Sequence, residues 1–212
     1  IWRMILQPLE LKILERISDF YSTKYDLFLV LPSHSNVNFK SLGFENSYFD
    51  KNYFSSVSAF NKFLMSKTFY ERFLEYEYIH FNQPDTIIFK DSLDAWYEKQ
   101  YSYIGGPSYH KSLLKKNPIR PKFFCNGGLS LRKVQSFIAV LDSKKIYFNN
   151  FNLIILKECI KTKYFFKYFK LFYKNYIDTS NFDVSSFIKH FFLSEDVFWT
   201  FFAKLFIDDF KL

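Results

Sequence analysis

The stretch Pro8–Pro32, PLELKILERISDFYSTKYDLFLVLP, decides the fold class. Leu11, Leu14, Ile17 and Tyr21 recur at helical spacing, and Pro8 suits a first helical turn, where its missing N–H has no partner to lose. YDLFLVLP is then a short continuous apolar run stopped by Pro32. Such a run reads as a buried strand of an α/β sheet.

Working outward, residues 33–55 are polar and read as irregular, and SAFNKFLMSKTFYERFL returns to helical spacing through Phe60, Phe63, Leu64 and Phe73. YEYIHF and TIIF flank NQPD, which reads as a strand interrupted at Pro84 and resumed after it, because proline cannot donate to a ladder. DSLDAWYEK is a short helical turn with Asp91 or Ser92 as its cap. YSYIG and GGLSL are strands, residues 105–122 a basic loop with three prolines, and RKVQSFIAVLDSKK a helix. Residues 151–177 read as a basic aromatic helix, and SEDVFWTFFAKLF as a last helix with Ser194 at its N-cap. Strands alternate with helices in the first two thirds and helices dominate afterwards. That order predicts a single α/β domain over residues 1–212, with one main sheet flanked by helices on both sides. The sheet core is expected over about residues 1–142, and a helical part completing the site over about residues 143–212.

Composition bounds the function. Hydrophobic residues make up 49% and charged residues 24%, as in globular proteins, while the 23% aromatic share (30 Phe and 16 Tyr among them) is unusual. The net charge of +8 suits an anionic partner such as a nucleotide diphosphate or a membrane surface. No RNA or DNA motif accompanies it, so nucleic acid is not the expected partner. Cys125 and Cys159 have neither CxxC nor paired-His spacing, which argues against a disulfide framework or a zinc site. His34, His80, His110 and His190 have no mutual metal spacing. IWRMILQPLELK does not read as a signal peptide, and no run approaches the roughly 20 apolar residues of a membrane span. The reading is a cytoplasmic protein, with Lys157, Lys161, Lys163, Lys167, Lys170 and Lys174 offering a peripheral contact to the inner face of a membrane.

A few residues can carry chemistry. Asp85 follows a strand, where ligands of open α/β sheets bind and a carboxylate suits a divalent cation; the local sequence by itself reads as a turn aspartate after Pro84. Glu195 and Asp196 favour a helix N-terminus through its dipole, and either can serve as a general base. Four of the 5 glycines form two doublets, Gly105-Gly106 and Gly127-Gly128. Glycine pairs mark close backbone approach or a tight turn. Asn126 offers an amide beside the second doublet, and Arg132 a guanidinium for phosphate or carboxylate. Neither doublet matches a dinucleotide fingerprint or a P-loop.

Taken in order, QPD, YIGGP, NGGLSLR and EDVFW resemble a bacterial glycosyltransferase-like family of the GT-A nucleotide-diphospho-sugar transferase fold, over about residues 48–142 and 194–202. The resemblance implies a Rossmann-like fold with a mainly parallel central sheet, and a nucleotide-diphospho-sugar donor at the sheet's carboxyl edge. Asn61 matches an asparagine on the helix before the metal strand, and Asp85 the metal-holding aspartate of Asp-x-Asp. Gln83 stands where the first aspartate would be, which alters ribose or metal contacts. Gly106 and Pro107 match the turn after the next strand, and Asn126, Gly127, Gly128 and Arg132 the glycine motif lining the sugar pocket. Glu195 and Asp196 match the late acidic motif that supplies the base in inverting members.

The implied activity moves a sugar to a hydroxyl acceptor in surface polysaccharide or glycan synthesis. Mn²⁺ or Mg²⁺ on Asp85, or Lys115, Lys116 and Arg120, would meet the charge on the leaving phosphate. The alternative is a non-catalytic module of the same fold that binds a nucleotide sugar or a glycan.

Overall fold

The computed structural model describes residues 7–108, 124–144, 184–191 and 194–212. Of the expected basic loop at 105–122, residues 105–108 are instead part of a strand, and the rest, with Lys115, Lys116 and Arg120, lies outside the described residues, as does the expected helix at 151–177.

Helix α1, Pro8–Tyr21, opens with the Gln7 N–H donating to Glu10 Oε2 at 2.7 Å and buries Ile13, Leu14, Ile17 and Tyr21 along one stripe. Strand β1, Leu27–Pro32, follows directly and alternates: Leu27, Leu29 and Leu31 are buried, while Phe28, Val30 and Pro32 are half-buried. It pairs in parallel with β2, Phe44–Phe49. The sequence expectation here is irregular chain, and the structure differs because FENSYF buries Phe44, Ser47 and Phe49 without alternating. Turns of 3₁₀-helix, Lys40–Leu42 and Lys51–Phe54, flank it.

The expected long helix at 58–74 is two short ones, α2 (Val57–Phe63) and α3 (Lys67–Glu71). The break falls where the Ser66 hydroxyl turns back to the Phe63 carbonyl at 2.7 Å. Strand β3, Tyr78–Asn82, ends before Pro84 and does not resume. Thr86 folds back there: its N–H and its hydroxyl both reach the Gln83 carbonyl, at 3.0 and 2.7 Å, so TIIF leaves the sheet. Helix α4, Leu93–Tyr97, leads to β4, Tyr103–Ser108. Strand β5, Phe124–Lys133, runs straight into α5, Val134–Asp142. Helix α6 spans Val184–His190. The last helix starts as α7, Glu195–Val197, widens to a π-helix over Phe198–Phe202 and tightens to a 3₁₀ turn over Ala203–Leu205.

The fold is mixed α/β, and its sheet pairing differs from the expectation of a mainly parallel sheet. Among the described residues, only β1 and β2 pair in parallel, while β3, β5 and β4 form an antiparallel sheet in that order. Alternating helices and strands suggested parallel pairing, but β5 enters between β3 and β4 and runs against both.

The aromatic residues form the main core. Trp199 lies 4.1 Å from the Phe137 ring and packs edge-on to Tyr70, and Phe187 meets Phe191, Phe198, Phe202 and Phe206. Offset and edge-to-face ring pairs contribute about 0.5–1.5 kcal/mol each beyond burial. A second cluster joins α1 to β1, Phe44 and Ile88. Among the described residues, no helix is long and apolar enough to cross a membrane.

Candidate functional site

Because β3 and β4 both run against β5, their carboxyl ends lie beside the start of β5. Gln83–Asp85, Gly106–Pro107 and Asn126–Gly128 therefore share one end of this sheet. The start of α7 joins them there, because Gly127 lies against the Glu195 side chain.

The register explains the glycines. Gly105 opposes Ser130, yet Gly106 already opposes Asn126, so β5 bulges at Gly127–Leu129. None of the four doublet glycines has a positive φ. Their value is space. A Cβ on Gly127 would stand 1.9 Å from Glu195 Oε1, and one on Gly128 would stand 2.7 Å from Gln83 Oε1. A Cβ on Gly105 would stand 2.7 Å from Cys125 Cβ, whereas one on Gly106 would meet nothing closer than 3.9 Å among the described residues. The sequence reading expected a ligand over the Gly127-Gly128 pair. Protein side chains fill that space, and among the described residues Gly106 alone of the four keeps an open face.

Glu195 is held by Arg132. Arg132 Nη2 donates to Glu195 Oε1 at 2.9 Å, and both side chains are buried. The same Nη2 donates to the Gly127 carbonyl at 3.1 Å, Nη1 to the Tyr70 hydroxyl at 3.0 Å, and Nε to Ser130 Oγ at 2.9 Å. The rings of Phe81, Tyr103 and Phe137 lie 4.8, 5.7 and 5.8 Å from the guanidinium carbon. Arg132 is thus enclosed by protein, and its charge is matched by Glu195 rather than presented to a ligand. Burial pushes the Glu195 carboxyl above the usual carboxylate range, and the Arg132 charge pulls against that. Glu195 Oε2 and the Tyr103 hydroxyl are buried without a hydrogen-bond partner among the described residues.

Asn61 reaches this cluster from α2. Its Oδ1 accepts the Glu195 N–H at 3.0 Å, and its Nδ2 donates to the Val57 carbonyl at 2.9 Å. Asn61 thereby satisfies one of the free N–H groups at the start of α7. Ser194 holds the N-cap position but makes no capping bond. Its hydroxyl donates to Asp196 Oδ1, which also accepts the Val197 N–H at 2.8 Å. Asp196 is half-buried, and its Oδ2 accepts no hydrogen bond among the described residues. Asn126 Oδ1 accepts the Gly128 N–H at 2.8 Å, and the Gln83 N–H donates to the Gly128 carbonyl at 2.7 Å.

Asn61, Asn126, Gly127, Gly128, Arg132 and Glu195 therefore form one bonded cluster, with Gln83 touching it and Asp196 at its edge. Asp85 stands apart. It is exposed and shares no hydrogen bond or ion pair with the cluster among the described residues. Gly106 and Pro107 line the same end on β4, opposite Asn126 and Cys125. Burial pushes the Cys125 thiol up, which disfavours the nucleophilic thiolate. Tyr70 and Ser130 were not foreseen; nothing in SKTFYERF or GGLSLR separates an arginine-binding hydroxyl from a core or surface one.

The sequence profile of a protein family of unknown function (DUF5672) matches residues 43–212. The chain belongs to that family. The matched span holds every residue of the cluster and leaves out α1 and β1. The family's description names no activity. No curated protein and no solved structure matches the chain.

Proposed function

We propose that this DUF5672 chain is a glycosyltransferase of GT-A type, moving a sugar from a nucleotide-diphospho-sugar to a hydroxyl acceptor in surface polysaccharide or glycan synthesis. One observation carries the reading: segments far apart in sequence, from Asn61 to Asp196, meet at the carboxyl ends of two parallel-running strands. That end is where open α/β sheets bind ligands.

The residues divide the work. Asp196 is the base, with Oδ1 fixed by Ser194 and Val197 and Oδ2 left to receive the proton of the acceptor hydroxyl. The deprotonated oxygen bonds to the anomeric carbon as the bond to the diphosphate breaks, and the centre inverts. Glu195, Arg132 and Asn61 hold the start of α7 so that Asp196 keeps its position. The open face at Gly106 and Pro107, with Asn126 and Gln83 beside it, receives the donor.

The donor set fits Mn²⁺ or Mg²⁺ in one way. Asp85 supplies a single exposed carboxylate, and no group of three or more His, Cys, Asp or Glu residues among the described residues is placed to hold an ion. One carboxylate suffices where phosphate oxygens and waters complete the shell. Bound there, the ion would supply positive charge to the leaving diphosphate. Arg132 does not, because its charge is matched internally. We place the activity in the cytoplasm, at the inner face of the membrane, in keeping with the net charge of +8.

The test is nucleotide release from a panel of nucleotide sugars with Mn²⁺ and a glycan acceptor mixture. Asp196→Asn should lower turnover by about 10²–10⁴-fold while donor binding persists, the range for loss of a general base. Full turnover in folded Asp196→Asn and Asp85→Asn proteins refutes the assignment. The second reading, a binding module, draws on Gln83 in place of a carboxylate and on Arg132 and Glu195 neutralising each other. Calorimetric binding of nucleotide sugars without release of nucleotide would favour it.

A further inference from the structure

Among the described residues, five buried side-chain polar atoms have no hydrogen-bond partner: Asn46 Oδ1, Ser47 Oγ, Tyr103 Oη, Glu195 Oε2 and Thr200 Oγ1. The first two belong to β2. The other three gather on one face of the antiparallel sheet. Tyr103 pairs with Arg132 across the β4–β5 ladder, and directly paired residues share a face. The Arg132 guanidinium carbon lies 5.7 Å from the Tyr103 ring centre, and Arg132 Nη2 donates to Glu195 Oε1. Gly105 and Pro107 follow Tyr103 on the same face, where the Cβ that Gly105 lacks would meet Cys125. Thr200 stands beside the Cys125 thiol, without the geometry of a hydrogen bond. Tyr103 is 0% exposed, Glu195 4% and Thr200 7%, so none of the three oxygens turns to bulk solvent for its bond.

Both acidic and phenolic groups are held from other sides. The Glu195 N–H donates to Asn61 Oδ1 at 3.0 Å, its Oε1 sits on Arg132, and Gly127 packs against the carboxylate. The Tyr103 N–H donates to the Lys211 carbonyl at 3.1 Å, and its ring packs 5.7 Å from Phe137. Glu195 Oε2 and the Tyr103 hydroxyl do not bond each other, yet they lie in one another's field. Burial first, and then the Glu195 charge, hold the Tyr103 phenol well above its usual range. A buried polar atom left unpaired carries the full loss of its hydration, so such atoms in native proteins bond to protein or to internal water. Two fixed oxygens that do not touch need a small group that both donates and accepts. Water is that group: it donates to a carboxylate oxygen, and it can donate to or accept from a hydroxyl.

We infer that the protein binds an internal water here, donating to Glu195 Oε2 and bonded to the Tyr103 hydroxyl, with the Thr200 hydroxyl as its third partner. About three polar partners is the usual number for an internal water. Glu195 then has both oxygens bonded, one to β5 through Arg132 and the other to β4 through the water. Strand β4 also carries Gly106 and Pro107, so the water joins the strand with the open face to the helix whose first turn holds Asp196. The site needs no step of the proposed sugar transfer and is independent of it.

A crystal structure of the intact chain that resolves single waters tests the site directly. We expect a density peak at about 2.5–3.0 Å from both Glu195 Oε2 and the Tyr103 hydroxyl. The absence of a peak, a peak that reaches only one of the two oxygens, or a direct bond between Tyr103 and Glu195 overturns the proposal. Oxygen-17 magnetic relaxation dispersion, which counts long-lived internal waters, checks it in solution. Tyr103→Phe keeps the ring and removes one partner, so the count should fall by one relative to the parent. An unchanged count also overturns the proposal. Should that variant not fold, the density in the parent decides.

Discussion

One methyl group at Gly127 is the smallest change that reaches the cluster. Its carbon would overlap Glu195 Oε1, so Gly127→Ala must displace the carboxylate from Arg132. Breaking a buried ion pair by removing one partner costs about 3–5 kcal/mol, and displacement should approach that. Gly106→Ala, which meets only ordinary contacts, should stay within about 1 kcal/mol of the parent. Urea denaturation of the two variants checks the contrast. Arg132→Met should cost about 3–5 kcal/mol because Glu195 is left in the core without its counter-charge, and the double variant Arg132→Met/Glu195→Leu should recover most of it. A double variant no more stable than Arg132→Met would contradict this account of the pair. That glycines mattered was legible in the sequence, since a chain with 5 of them sets four in doublets. What they accommodate was not legible, because the crowding comes from a helix that begins at Glu195, far along the chain.

Strand β3 carries a pH-dependent element. Burial pushes the His80 imidazole down to about 4, beside the Tyr21 ring at 6.0 Å. In the unfolded chain the same group takes up its proton near pH 6.5. Above that pH both states are neutral and His80 contributes its full stability. As pH falls from 6.5 toward 4 the unfolded state binds the proton first, and stability is lost. Between pH 7 and pH 5 the loss should be about 2 kcal/mol, and His80→Leu should remove that part of the slope in urea melts. At the start of α7, Asn61→Ala should cost about 1 kcal/mol, as the loss of a helix-end partner does. The regular elements were largely legible: apolar spacing located α1, β1 and α5. Strand β2 escaped because its buried positions include Ser47, and TIIF misled because its apolar run hides the fold-back at Thr86.

For the whole molecule, the proposed donor site makes a thermodynamic demand. With Asp85 as its single carboxylate ligand, Mn²⁺ alone should leave the melting temperature unchanged. Mn²⁺ with the right nucleotide diphosphate should raise it by mass action, and Asp85→Asn should abolish that rise. Thermal shift across a nucleotide panel measures both; a rise with Mn²⁺ alone would point to a preformed metal site. The order of elements, and the meeting of QPD, YIGGP, NGG and SED at one end, were legible because each segment lies at one end of a strand or opens a helix. Strand direction was not, since apolar runs carry no arrow: nothing within FFCNGGLSLRK says that it runs against both neighbours.

The buried pair also orders events during synthesis. Arg132 leaves the ribosome 63 residues before Glu195 does, yet its final surroundings are Phe81, Tyr103 and Phe137, all but the last made earlier still. Until Glu195 follows, a nascent chain that collapsed around those rings would trap a cation without its anion. An interrupted translation product would therefore stay open at this point and be easily digested by proteases, so neutralising one charge doubles as a check that the polypeptide has been made as far as α7.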